Sequence, residues 1–186
     1  MIIFDLDGTL ALIDHRRYFV DPQEDHPDYF RNPCESCKDG SHHKIDPQIH
    51  KVNGKPWKPD WDAFFEACDK DEPNKPICEV FLAMNYEPYK REIEIWSGRS
   101  ESVREKTVKW IEDNIPEFER STYINRILKM RPLGDYTPDD QLKEKWLDEV
   151  IAQGKTVQMV FDDRQKVVDM WRRRGITCLQ VAQGDF

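Results

Sequence analysis

Segments with the patterns of strands and helices alternate through most of this 186-residue chain, and that alternation constrains the fold more than any other feature. Short apolar segments such as MIIFDLDGTL have the pattern of buried strands. Segments such as PNKPICEVFLAMNYEPY repeat apolar residues three and four positions apart, which is typical of helices. Because alternating strands and helices form parallel sheets covered on both faces, we predict an α/β fold of the doubly wound, Rossmann-like class.

The individual segments can be placed along the chain from their periodicity and their end signals. Strands are predicted within residues 1–10, 91–100, 124–132, 155–163 and 176–182, and helices within 59–69, 73–89, 101–114, 137–154 and 164–175. The helix over 137–154 is expected to have Thr137 as its N-cap and Gly154 as its stop. Residues 14–60 are rich in Pro, Asp and His and show little periodicity. We therefore expect a single domain over 1–186, with 14–60 as a small, irregular, cap-like insertion.

Composition excludes some classes of protein and leaves others open. Hydrophobic residues make up 38% and charged residues 34%, which is typical of a soluble globular protein, and no apolar run is long enough to span a membrane. Five cysteines without a secretory signal indicate a reducing cytoplasm. The net charge of −8 argues against a broad basic surface for long nucleic acids, although it allows a local basic pocket.

Polar residues follow the predicted strands at the points where the strands end, which is the edge at which such sheets bind ligands. They are Asp5 and Asp7, then Ser97 with Gly98 and Arg99, then Arg131, and finally Asp162 and Asp163. The helix after the third strand adds Lys143. The predicted topology therefore delivers four carboxylates, a hydroxyl, a lysine and arginines to one edge of the sheet.

These residue types together predict a particular chemistry. Side chains two apart in a strand point the same way, so we expect Asp5 and Asp7 to face one site together with Asp162 and Asp163. Carboxylates that converge either raise each other's pKa or bind a cation, and oxygen ligands of this kind suit Mg²⁺. One carboxylate can attack phosphorus while a second transfers the proton. A serine and a lysine can hold the phosphoryl oxygens, and Ser97 and Lys143 have that place here.

Each motif also has a plainer interpretation when it is taken alone. FDLDGT has the composition of a turn at the end of a strand, and FDD before a helix has that of a helix cap. Ser97-Gly98 is compatible with a simple turn, and Lys143 with a solvated surface lysine. Their joint placement after consecutive strands favours the catalytic interpretation.

The set of motifs resembles the haloacid dehalogenase superfamily of phosphotransferases. DLDGT is similar to its first motif, WSG to its second, Lys143 to its third and FDD to its fourth. The resemblance implies that Asp5 is the nucleophile and Asp7 the general acid and base. It also implies a Mg²⁺ ion held by Asp5, by the backbone carbonyl of Asp7, and by Asp162 with or without Asp163.

A closer resemblance covers residues 1–20 and about 72–186, which are similar to the phosphatase domain of the bacteriophage polynucleotide kinase-phosphatase family. It is carried by SGR, by MRPLGDYTPDDQLKEKW and by FDDRQKVVDMWRRRGITCLQVAQGDF. It implies Arg16, Arg99 and Arg131 as contacts to phosphate or nucleotide, with Arg17 as the neighbour of Arg16 that could replace it. An ordinary surface arginine is the alternative for Arg16.

That resemblance implies a polynucleotide 3′-phosphatase that acts on DNA or RNA ends in nucleic-acid repair, in the host cytoplasm if the chain is phage-encoded. The alternative is a phosphatase of free nucleoside monophosphates or other small phosphate esters, which the net charge of −8 and the insertion favour. A catalytically silent module that binds a repair partner is a third class, and the complete set of acidic, hydroxyl and lysine positions argues against it.

The insertion contains a candidate zinc site. Cys34 and Cys37 are followed by His42 and His43, a spacing that can form a tetrahedral Cys₂His₂ site in an otherwise coreless loop. A plain polar loop and a reversible disulfide remain as alternatives, because adjacent histidines seldom bind one ion together. Cys68, Cys78 and Cys178 lie in apolar patterns and are expected to be small buried hydrophobic residues.

Overall fold

The structure is a computed structural model that describes residues 1–21, 51–52, 55–56, 58–85, 92–115 and 121–184. The chain divides into two compact units, one formed by Met1–Ile13 with Asp69–Phe186 and the other by Asp14–Cys68. The second unit begins where the insertion is predicted to begin and continues past residue 60. No helix in the described part of the chain is long and apolar enough to cross a membrane.

The first unit is built on a five-stranded sheet in which every strand pair is parallel. The strands of the chain are β1 Ile2–Asp5, β2 Ala11–Leu12, β3 Lys51–Val52, β4 Lys55–Pro56, β5 Glu72–Pro73, β6 Ile93–Ser100, β7 Leu128–Arg131, β8 Met159–Arg164 and β9 Thr177–Gly184. The sheet has the order β7–β6–β1–β8–β9, while β2 pairs with β5 and β3 with β4. The chain thus runs outward from β1 on one side and then returns to the other side, which makes β1 the point where the strand order reverses.

Helices cover both faces of this sheet, which confirms the predicted doubly wound α/β class. Among the described residues, the α-helices of the first unit are α2 Lys75–Asn85, α3 Arg104–Asn114, α4 Ser121–Ile127, α5 Asp139–Ala152 and α6 Gln165–Arg173, and α1 Trp61–Glu66 belongs to the second unit. Ile3 of β1 belongs to a buried cluster with Trp146 of α5 and Trp171 of α6. The ring of Phe4 meets that of Phe81 of α2, with centroids 5.1 Å apart. Because adjacent strand residues point to opposite faces, α5 and α6 cover one face and α2 the other.

Two local predictions were wrong. Residues 124–127 complete α4 instead of beginning a strand, because Ile124 and Ile127 have helical spacing and are both buried. Thr137 does not cap α5, whose N-cap is Pro138 without a side-chain hydrogen bond. The backbone N–H of Thr137 instead donates to the Asp135 side chain, so this threonine belongs to the preceding turn.

Candidate active site

Buried polar side chains gather at the carboxyl ends of the central strands. Asp5 ends β1, Ser97 lies in β6, and Asp162 and Asp163 lie in β8. Lys143 reaches the same place from the first half of α5. All five are buried, with 0 to 5% of their surface exposed. Because polar groups are rarely buried without partners, their contacts determine what this edge of the sheet can do.

Lys143 binds three of the carboxylates. Its Nζ lies 2.6 Å from Asp5 Oδ1, 3.0 Å from Asp162 Oδ2 and 3.3 Å from Asp139 Oδ2. Burial alone would lower the pKa of Lys143, but Asp139, Asp162 and Asp5 together outweigh burial and raise that pKa well above its ordinary value. Lys143 therefore remains an ammonium group, able to hold both a carboxylate and an incoming phosphoryl oxygen.

Burial and crowding raise the pKa of the carboxyl groups at this site. Burial raises the pKa of Asp5 well above its ordinary value, against the lowering effect of Lys143 and with further raising by Asp162 and Asp163. Burial and the neighbouring Asp162 raise the pKa of Asp163 to about 7. One ammonium group among so many carboxylates leaves an excess of negative charge, which protons or a cation must balance.

The same carboxylates fit a hard divalent cation. One oxygen from each of Asp5, Asp162 and Asp163 can be chosen so that all three lie within 4.8 Å of one another. The donor set is entirely oxygen and strongly negative, which suits Mg²⁺ better than softer metals. These three residues are among the predicted metal ligands, whereas the Asp7 carboxylate is directed to an arginine.

The Gly8-Thr9 turn brings the backbone directly against Asp163. Gly8 has φ of +84°, which glycine adopts readily, and a Cβ at this position would collide with the Asp163 carboxylate. The Thr9 hydroxyl donates to Asp163 Oδ1 at 3.3 Å. Gly8 and Thr9, which follow Asp7, therefore bring the chain after β1 into contact with Asp163 of β8.

Asp7 lies beyond the end of β1 and has a different partner from Asp5. Arg99 Nε donates to Asp7 Oδ1 at 2.7 Å, and Arg99 Nη2 donates to Asp71 Oδ2 at 2.6 Å. The argument from strand alternation therefore does not apply to Asp7, whose position follows from the turn and from Arg99. Nothing in the sequence pattern singled out Asp71, because it stands in the acidic segment CDKDEP, and its burial, unlike the exposure of Asp69 and Glu72, is visible only in the structure.

Arg131 and Gly98 shape the connection into α5. Arg131 Nε donates to the Gly98 carbonyl at 2.9 Å and Nη1 to the Thr137 carbonyl at 2.5 Å. A Cβ on Gly98 would lie 2.6 Å from Asp139 Oδ1, so glycine is needed for this close approach. Asp139 was also missed by the sequence analysis, although its position four residues before Lys143 on a helix was a readable signal.

Ser97 belongs to the site described above, whereas Arg16 belongs to the second unit. Ser97 Oγ accepts from the Arg99 backbone N–H at 3.1 Å. Arg16 belongs to the second unit, where its Nη1 donates to the Phe64 carbonyl at 3.1 Å and its guanidinium lies 4.1 Å from the Phe64 ring centroid. The alternative of a surface arginine is wrong for Arg16, which is fully buried. The candidate zinc ligands Cys34, Cys37, His42 and His43 lie outside the described residues.

This sheet and its acidic edge define a phosphatase of the haloacid dehalogenase type. A sequence model of the family described as "Polynucleotide kinase PNKP phosphatase domain" matches residues 60–186, and the chain belongs to this family. Asp5 and Asp7 lie before the matched residues, so their assignment depends on the geometry described above.

Solved structures show the same similarity. The chain resembles a protein in "Structure of the Pnkp1/Rnl/Hen1 RNA repair complex", with 26% identity and a TM-score of 0.59 over 100% of this chain and 43% of that one. A second match, "Structure of Pnkp1/Rnl/Hen1 complex", has the same identity and TM-score and covers 100% of this chain and 46% of that one. The chain thus spans less than half the length of the solved chains that it matches.

Proposed function

We propose that this chain is a Mg²⁺-dependent phosphomonoesterase that removes 3′-phosphate from DNA or RNA ends through an aspartyl-phosphate. The observation that carries the proposal is the group formed by Asp5, Asp162, Asp163 and Lys143 where the strand order reverses. This group occurs in a chain that belongs to the family of polynucleotide kinase phosphatase domains.

In the first step, a carboxylate oxygen of Asp5 attacks phosphorus and the bond from phosphorus to the leaving oxygen breaks. Asp7 gives its proton to that oxygen, which leaves as an alcohol. Ser97 and Lys143 hold the phosphoryl oxygens, and the ammonium group of Lys143 offsets their charge. Lys143 already contacts Asp5 at 2.6 Å, so the nucleophile and this positive charge stand side by side.

In the second step, water attacks phosphorus of the aspartyl-phosphate and gives a proton to Asp7. The bond from phosphorus to Asp5 breaks, so inorganic phosphate leaves and both aspartates return to their starting states. The ion would be held by Asp5, Asp162 and Asp163 together with the backbone carbonyl of Asp7. When bound, Mg²⁺ neutralises charge on the phosphoryl group and orients it.

The substrate assignment rests on the family and on the solved relatives, one of which is described as part of an RNA repair complex. The second candidate is a phosphatase of nucleoside monophosphates or other small phosphate esters. The net charge of −8 favours it, because long nucleic acids bind basic surfaces.

We place the activity in a reducing cytoplasm. Cys68, Cys78 and Cys178 are buried, and burial raises the pKa of Cys78 to about 11 and that of Cys178 to about 12. Thiols of this kind react slowly and act as small hydrophobic residues. A zinc site at Cys34, Cys37, His42 and His43 stays a prediction, and elemental analysis of the purified protein would test it.

Substitution of the nucleophile tests the mechanism. Asp5→Asn keeps the shape of the side chain and removes the attacking oxygen, so we expect turnover to fall at least about 10⁴-fold while the circular dichroism spectrum is unchanged. Asp7→Asn should instead accumulate protein heavier by one phosphoryl group when p-nitrophenyl phosphate is the substrate. Appreciable turnover by Asp5→Asn would contradict the covalent mechanism, and Asp148→Asn on the surface of α5 serves as the control.

A further inference from the structure

A buried carboxylate outside the predicted motifs is linked to Asp7 through one arginine. Arg99 Nη2 lies 2.5 Å from Asp7 Oδ1 and 2.6 Å from Asp71 Oδ2, so a single guanidinium contacts both aspartates. The side chains of Arg99 and Asp71 are 0% exposed, whereas that of Asp7 is 17% exposed. Asp7 is therefore the residue of the three that faces solvent. Asp71 is linked to Asp7 through Arg99.

Residues of helix α3 contact both Asp71 and Arg99. Trp110 Nε1 donates to the Asp71 backbone carbonyl at 2.7 Å, which fixes the chain that carries the carboxylate. Arg99 Nη1 lies 3.4 Å from the Thr107 hydroxyl, and the Trp110 ring centroid is 6.0 Å from the guanidinium carbon. The guanidinium is thus held on several sides, and rotation would break its contact with Asp71.

We propose that Asp71 is a positioning residue that acts through Arg99 to hold the Asp7 carboxylate in place for proton transfer. The proposal rests on the acid and base role given to Asp7 in the proposed function. The Asp71 side chain is fully buried and is linked to Asp7 by the Arg99 guanidinium, so it is placed to act on Asp7 through that arginine. Without the Asp71 carboxylate, the buried Arg99 guanidinium would shift toward Asp7, and the position of the Asp7 carboxylate would change with it.

The proposal predicts an effect that depends on the leaving group. A nucleoside 3′-oxygen is a poor leaving group and needs the proton of Asp7, whereas p-nitrophenolate leaves without one. A misplacement of about 1 Å in such a group costs on the order of 100-fold in rate. In the first step, loss of Asp71 should therefore slow the nucleoside ester and spare p-nitrophenyl phosphate, while damage to the fold would slow both. The second step uses Asp7 for either ester, so the comparison is made on the first turnover.

The experiment compares Asp71→Ala and Asp71→Asn with the unaltered protein on two substrates. For a 3′-phosphorylated oligonucleotide we expect Asp71→Ala to lower the rate of strand release in the first turnover about 100-fold, with KM nearly unchanged. For p-nitrophenyl phosphate we expect the rate of p-nitrophenolate release in the first turnover to stay within about 3-fold of that of the unaltered protein. Asp71→Asn keeps an acceptor for Arg99, so it should recover part of the loss and serves as the test if the alanine variant does not fold.

Asp148→Ala is the matched control, because Asp148 also pairs with an arginine at 2.6 Å but is exposed. Equal losses on both substrates, or no loss on either, would overturn the proposal. Combining Asp71→Ala with Asp7→Asn gives a second criterion: the double variant should be no slower on the oligonucleotide than Asp7→Asn alone, and additive losses would contradict action through Asp7.

Failure of the proposed function gives a different result. An unaltered protein that hydrolyses p-nitrophenyl phosphate but no 3′-phosphorylated end would refute the proposed substrate. In that case glycerol 2-phosphate replaces the oligonucleotide as the ester with a poor leaving group, and the same selective loss in Asp71→Ala is expected. An unaltered protein that hydrolyses none of these esters would refute both proposals.

Discussion

At the scale of single residues, the site concentrates buried negative charge that the protein alone does not balance. Asp5, Asp162 and Asp163 crowd around Lys143, and burial raises the pKa of all three carboxyl groups. Such a group is unfavourable when fully ionised without a cation, so the folded protein holds protons there until a cation replaces them.

This arrangement predicts how the stability of the metal-free protein depends on pH. The pKa of Asp163 is raised to about 7 in the folded state, above its ordinary value of 3.8. Its contribution to stability is therefore fully present below about pH 4 and is lost as the pH rises through about 7. We expect the Tm of the protein in EDTA to fall between about pH 5 and pH 8, relative to Asp163→Asn.

Mg²⁺ should reverse this trend, because it binds the deprotonated carboxylates. The increase in Tm on adding Mg²⁺ should therefore grow over the same pH range. Thermal unfolding with and without Mg²⁺ measures both effects. A Mg²⁺-induced increase in Tm that is constant with pH, or absent, would contradict the account.

Gly8 offers a second test at this scale. Gly8→Ala places a methyl group against the Asp163 carboxylate and also keeps a φ of +84°, whereas Gly154→Ala has φ of +74° with nothing within 4 Å. Both variants should lose about 1–2 kcal/mol of stability from the backbone conformation. Only Gly8→Ala should also lose phosphatase activity and the stabilisation by Mg²⁺. Equal effects of the two substitutions on activity would mean that the Gly8 turn has no special place in the site.

At the scale of secondary-structure elements, the turn between β7 and α5 is held by hydrogen bonds from Arg131 and exposes the side chain of Tyr136. Arg131 Nη1 donates to the Asp135 carbonyl at 3.4 Å and to that of Thr137 at 2.5 Å, the two residues that flank Tyr136. Tyr136 itself is 90% exposed. Because Tyr136 is only three residues from Asp139, its Cα lies within about 11 Å of the Asp139 Cα.

We expect Tyr136 to stack on a base near the phosphorylated end. Stacking of this kind contributes about 1–3 kcal/mol per base, so Tyr136→Ala should raise KM for a 3′-phosphorylated oligonucleotide about 5- to 100-fold. Tyr136→Phe keeps the ring and should behave like the unaltered protein. Steady-state kinetics with p-nitrophenyl phosphate, which has no base, should show no change. An unchanged KM for the oligonucleotide in Tyr136→Ala would rule out this contact.

Periodicity predicted most elements of the first unit, because apolar spacing reports directly which side of a segment is buried. It failed over residues 124–127, where Ile124 and Ile127 fit either a strand or the end of a helix. The predicted convergence of Asp5, Lys143 and Asp162 came from the rule that parallel strands end at one edge. Asp71 could not be predicted, since its importance depends on a contact between residues 28 positions apart.

At the scale of the whole molecule, the open question is which phosphate ester reaches the acidic edge of the sheet. The chain has a net charge of −8 and spans less than half of each solved chain that it matches. A strand end can still bind an acidic protein when a few local contacts hold its last nucleotides, whereas a long duplex requires a broad basic surface. We therefore expect the protein to recognise the end of a strand, and its kcat/KM for that substrate to depend only weakly on salt concentration.

The most direct test measures phosphate release with Mg²⁺ from a 3′-phosphorylated oligonucleotide, beside the 5′-phosphorylated oligonucleotide and the 3′- and 5′-mononucleotides. Asp5→Asn is the inactive reference, and EDTA should abolish release. We predict the highest kcat/KM for the oligonucleotide 3′-end. A preference for mononucleotides would contradict end repair and favour the small-ester phosphatase, and release by Asp5→Asn or in EDTA would contradict the proposed chemistry.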